Sequence, residues 1–152
     1  MIDNNKSEPL IGTRPEDRPL TDAERALLEW LIAHGGPEAL QYAPQVSRVR
    51  VVASCTCGCP TIDLAIGDRQ HRTVGASLVL ADFEGVTSEG IEVGVILHAR
   101  EGQLSELEVY AMPEVNGPFS LPRRRPLFDY LRSKQPPDRH HESLLDFESA
   151  LP

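Results

Sequence analysis

Between Arg48 and Tyr110 the chain alternates apolar and polar residues in five runs. That period of two restricts it to a fold built on a sheet. Arg48 to Cys55 carries Val49, Val51 and Ala53 on one face, and Thr61 to Ile66 carries Ile62, Leu64 and Ile66. Ala76 to Phe83 is nearly continuously apolar, which leaves its facing open. Ile91 to Ala99 turns Ile91, Val93, Val95 and Leu97 inward, and Leu104 to Tyr110 turns Leu107 and Val109 inward. Paired residues of an antiparallel hairpin share a face, so the inward positions constrain each loop length. A three-residue loop of Arg100, Glu101 and Gly102 pairs Val95 with Leu107 and Val93 with Val109, with Gly102 left-handed. A two-residue turn at Gly58-Cys59 pairs Cys55 with Ile62 and Ala53 with Leu64. Both solutions point to an antiparallel meander.

Upstream, Thr21 followed by Glu24 makes a capping box, and Ala23, Leu27, Trp30 and Leu31 follow at helical spacing. Gly35-Gly36 stops this helix, and Pro37 opens a second, short one that ends at Pro44. The fold class is therefore α+β, with two N-terminal helices packed on a four- or five-stranded antiparallel meander sheet. Residues 1–19 are polar and proline-bearing and are expected to form a disordered arm ahead of a domain over 20–112. Residues 113–135 read as a wrapping loop with a short helix near Pro126–Lys134, and 136–152 as a flexible tail.

With 15 Lys+Arg against 23 Asp+Glu the net charge is -8, which argues against a general nucleic-acid binder. No apolar run is long enough to cross a membrane as a helix, and the first twenty residues lack a secretory h-region. The expected location is cytoplasmic. The odd number of cysteines, three, fits a reducing compartment better than a disulfide framework.

All three cysteines fall within Cys55-Thr56-Cys57-Gly58-Cys59-Pro60. Thiolates this close can bind a soft metal or exchange disulfides. Structural zinc takes four ligands, usually from pairs spaced C-x₂₋₄-C, so Cys55, Cys57 and Cys59 need a fourth partner. His34, His71 and His98 are the candidates. The plain alternative makes Cys55 a small core residue facing Ile62, with the other two filling a tight turn and no cofactor at all.

Cys55 to Leu64 (CTCGCPTIDL) and Gly94 to Tyr110 (GVILHAREGQLSELEVY) together resemble a family of small bacterial proteins of unknown function. Those proteins also open with a helix like LTDAERALLEWL. The resemblance covers about residues 20–110, implies a bacterial cytoplasmic protein, and brings no catalytic residues.

Outward positions of the last two strands carry Glu92, His98, Glu106 and Glu108. From Asp82 to Glu114 there are eight acids and one base, whereas Leu121 to Arg139 holds six bases and two acids. An acidic face of this kind suits a basic protein partner. No nucleophile elbow or oxyanion element is visible, so the reading leans away from an enzyme. The expected function is a small, acidic, non-enzymatic interaction protein, immunity-type being one form. The alternative is a metal-binding or thiol-redox protein that uses the cysteine hairpin, with zinc as a possible ion.

Overall fold

The structure is a computed structural model that describes residues 12–67, 76–123 and 128–129. Its seven strands are β1 (Thr13–Pro19), β2 (Val49–Cys55), β3 (Ile62–Ile66), β4 (Leu78–Val86), β5 (Glu92–Arg100), β6 (Gln103–Ala111) and the two-residue β7 (Phe128–Asp129). All pair antiparallel in one sheet of order β1-β2-β3-β6-β5-β4-β7. One α-helix, α1 (Asp22–His34), packs on one face, followed by a 3-10 helix over Ala39–Gln45.

This corrects the expected architecture of two helices on a four- or five-stranded meander. The sheet has more strands, and only one of the two expected helices is an α-helix. Pro44 sits inside the second segment, and an internal proline removes a donor that an α-helix needs. The meander is broken as well. After β3 the chain makes a second meander, β4-β5-β6, and β6 returns to pair with β3.

Residues 13–19, expected to be part of an arm, form the edge strand β1 on β2. Pro15 and Pro19 are tolerable there because an edge strand leaves alternate N–H groups without a ladder partner. The Arg18 guanidinium anchors the strand to α1 through two 2.9 Å hydrogen bonds to the Glu24 carboxylate. Burial alone would raise Glu24, but the bonds from Arg18 and from the Thr21 backbone overcome it and hold the carboxyl below its usual range. The same Glu24 completes the expected capping box, accepting from Thr21 N while Thr21 Oγ1 accepts from Glu24 N. Phe128 and Asp129, placed by sequence in a helix, pair instead with β4. The rest of that segment, residues 1–11 and the tail 136–152 lie outside the described residues.

The core lies between α1 and the sheet. Leu27, Leu28, Leu31 and Ile32 of the helix meet Val51, Leu64, Val93, Val95, Leu97, Leu107 and Val109 of the strands. These strand residues are the inward set expected from alternation. Each of β2, β4 and β6 also carries a bulge, in which Val52, Leu80 and Ser105 have no opposite number. A bulge shifts every later side chain to the other face. The β5-β6 turn therefore has two residues, Glu101 and Gly102, at φ 49 and 75, and Ser105 restores the parity that a three-residue loop would have given. Val95 consequently pairs with Val109, and Leu97 with Leu107.

The two halves of the sheet join weakly. β3 and β6 share the pairs Ile62–Leu107 and Asp63–Glu106. Thr61 extends that seam with its side chain, whose Oγ1 accepts from Val109 N at 2.9 Å and donates to Val109 O at 3.1 Å. No helix among the described residues is long and apolar enough to cross a membrane.

Candidate metal centre

The bulge at Val52 decides where the cysteines go. It pairs Ser54 with Ile62 and Ala53 with Asp63, so Cys55 falls on the outer face, away from α1. The expected pairing of Cys55 with Ile62 is thus displaced by one residue, and the thiol leaves the core edge. The turn is also wider than two residues. Cys55 N donates to Thr61 O at 3.2 Å, leaving residues 56–60 as a five-residue loop.

Neighbouring backbone braces this loop on two sides. Thr56 N donates to Gly12 O at 2.8 Å, and Phe119 N donates to Gly58 O at 3.4 Å. Gly58 sits at φ +93, and a Cβ placed there would lie 3.0 Å from both Cα and N of Pro118. Only glycine meets both demands, the left-handed backbone and the close approach. Phe119 and Leu121 then pack against the core, which ties the crossing segment to the sheet.

Between the last residue of β2 and this loop, the three Sγ atoms lie within 4.8 Å of one another. The Cys55 thiol donates to Cys57 Sγ at 2.9 Å, and all three cysteines are free. Two backbone donors also point at sulfur: Cys57 N at 3.5 Å from Cys55 Sγ, and Cys59 N at 3.4 Å from Cys57 Sγ. The Cys57 thiol is lowered by the bond from Cys55 and then by the Cys59 backbone, whereas burial and the contact with Cys57 push Cys55 up to about 12. Cys57 is exposed, and Cys55 and Cys59 are half-buried. Three close thiols can hold a metal ion, and one lowered thiol beside a protonated one is also a starting arrangement for disulfide exchange.

Of the candidate fourth ligands, neither His34 nor His98 joins them. His34 stacks on Trp30 with ring centroids 4.1 Å apart and bonds to its carbonyl in the last turn of α1. His98 is engaged elsewhere, and His71 lies outside the described residues. Among the described residues the metal-ligating group consists of the three cysteines alone.

The second set of sequence candidates divides. His98 pairs with Glu106 across β5 and β6, and its Nε2 lies 2.8 Å from Glu108 Oε2. The other ring nitrogen, Nδ1, shares a hydrogen bond with Ser77 Oγ at 2.8 Å. Burial raises the Glu106 carboxyl, against an opposing pull from His98, while Asp63 and Glu108 add to the rise. Glu92 is exposed at the start of β5, six residues from His98, about 20 Å along an extended strand. The structure therefore brings His98, Glu106 and Glu108 together and leaves Glu92 apart.

Sequence reasoning missed Thr61 and Ser77. Thr61 opens the strand read over Thr61 to Ile66 and Ser77 lies near the start of the one read over Ala76 to Phe83, so neither carried a local signal of its side-chain bonds. Comparison with protein-family models, with curated proteins and with solved structures finds no match in any of the three.

Proposed function

We propose that this protein binds a soft metal ion through Cys55, Cys57 and Cys59. The observation that carries the reading is the meeting of three Sγ atoms within 4.8 Å on one braced loop. Thiolate sulfur selects soft ions such as copper(I) and zinc over magnesium or calcium. The backbone N–H groups aimed at Cys55 and Cys57 spread the negative charge that bound thiolates carry. Zinc and copper(I) are the ions of this class, and the reading places the protein in the cytoplasm, where thiols stay reduced.

Cadmium(II) is the probe. Added to the reduced chain, it should give a sulfur-to-cadmium charge-transfer absorbance that saturates at one ion per chain. Alkylating the thiols first should abolish it. Absorbance that never saturates, or that survives alkylation, refutes the site.

A second reading, docking of a basic protein on the outer face, is supported by the clustering of Glu106, Glu108 and Asp63 there. It needs nothing from the cysteines. Loss of binding to a cationic protein in a Glu106→Gln, Glu108→Gln double variant, with cadmium binding intact, would favour it.

A further inference from the structure

We infer that the ion held by Cys55, Cys57 and Cys59 is copper(I), bound by three sulfurs and open to exchange. The inference rests on the metal-binding reading above and narrows it. Ligand number is the first argument. Structural zinc is closed by four protein ligands. The described residues supply three here, all sulfur. Copper(I) is monovalent and soft, and three thiolates in a plane complete its shell.

Spacing is the second argument. With metal–sulfur bonds of about 2.3 Å, a trigonal ion needs its sulfurs roughly 4.0 Å apart. The three Sγ atoms already lie inside 4.8 Å, and the 2.9 Å Cys55–Cys57 contact must open. Side-chain rotation can supply that opening, because Cys57 is exposed and, among the described residues, its sulfur is hydrogen-bonded only to the other two cysteines.

Exposure is the third. Buried metal sites hold an ion, whereas this one presents Cys57 to solvent at the tip of a hairpin. An incoming thiol can therefore reach the ion from outside. Its sulfur forms a new copper–sulfur bond as the bond to Cys57 breaks. The incoming thiol's proton passes to Cys57, and copper remains copper(I) throughout. The partner chemistry this fits is another thiol-bearing copper carrier, small molecule or protein. The base of the loop is tied by Cys55 N to Thr61 O and by Thr56 N to Gly12 O, and its centre is held at Gly58 by Pro118 and Phe119, so exchange needs only the Cys57 side chain to turn while the backbone beside Cys55 and Cys59 stays in place.

The test uses the full reduced chain without oxygen. Copper(I) is supplied from a chromophoric copper(I) chelator, and the metal's neighbours are counted by X-ray absorption. The expected result is one copper per chain with three sulfurs. Cys57→Ser should leave two sulfurs and weaken binding by more than the roughly 10- to 100-fold that losing an outer-shell partner costs. Glutathione should withdraw the ion from the parent protein within the mixing time. A zinc complex with four protein ligands that copper(I) does not displace would overturn the inference. So would several coppers per chain, or copper that glutathione cannot remove. All three leave the cadmium result standing, whereas failure of cadmium to bind removes the metal reading itself.

Discussion

Replacing Thr61 with valine keeps the shape of the side chain and removes its hydroxyl. That hydroxyl bonds to both the N–H and the C=O of Val109, a residue only 1% exposed. Both backbone groups face β3 at a point where β3 offers no strand residue of its own. Thr61→Val therefore leaves a buried donor and a buried acceptor without partners. Each such group costs about 1–3 kcal/mol. Some water will reach the seam, so a loss of roughly 2–4 kcal/mol is expected, a large share of the ~5–15 kcal/mol that holds a domain together. Urea unfolding measures it: the midpoint should fall with the slope unchanged. Thr61→Ser keeps the oxygen and should recover most of the loss. A Thr61→Val protein within about 0.5 kcal/mol of the parent, the scatter of ordinary surface changes, refutes the seam described here.

Gly58→Ala combines a left-handed backbone with the clash against Pro118, so it should cost about 2–3 kcal/mol, whereas Gly102→Ala, left-handed in open space, should cost about 1 kcal/mol; equal losses in urea would remove the bracing contact. Deleting residues 1–19 strips β1 from β2 and Arg18 from Glu24, so the thermal melt should fall by many degrees; an unchanged melt would mean that β1 is not part of the folded core. Glu106 faces His98 and Arg100 of β5, Asp63 of β3 and Glu108 of its own strand, and burial raises its folded pKa above the unfolded value. Its ionisation therefore costs stability above the unfolded pKa and nothing well below it. Glu106→Gln should raise the melting temperature at pH 7, with the gain closing below about pH 4; a gain that persists in acid contradicts the cause.

What could be read from sequence was local, and what escaped was not. The cap at Thr21 and Glu24 is settled within four residues, and it stands as read. The inward residues Leu64, Val93, Val95, Leu97, Leu107 and Val109 also stand, because alternation is local too. Registers failed where bulges intervened. A parity argument assumes one residue opposite one, and Val52, Leu80 and Ser105 each violate that. The β1 strand has no apolar alternation at all. It forms because β2 offers an unpaired edge and Glu24 offers a carboxylate to Arg18, and both partners are distant in sequence or in another element. The pairing of β3 with β6 likewise joins segments about forty residues apart, which no hairpin rule reaches. The cysteines were recognisable as a cluster, but their facing depended on the Val52 bulge, and so did their freedom from the core.

If Cys55, Cys57 and Cys59 act as one ligand set, removing any one of them must weaken the hold on the metal. The most direct measurement is the shift in thermal melting produced by a saturating soft metal in the parent and in three variants, Cys55→Ser, Cys57→Ser and Cys59→Ser. An ion that binds only the folded chain stabilises it by mass action, about 2.7 kcal/mol at a hundredfold excess over the dissociation constant. The expected result is a clear upward shift in the parent that is largely lost in every one of the three variants. A Cys59→Ser protein that keeps the full shift, or a parent that shows none, would contradict it.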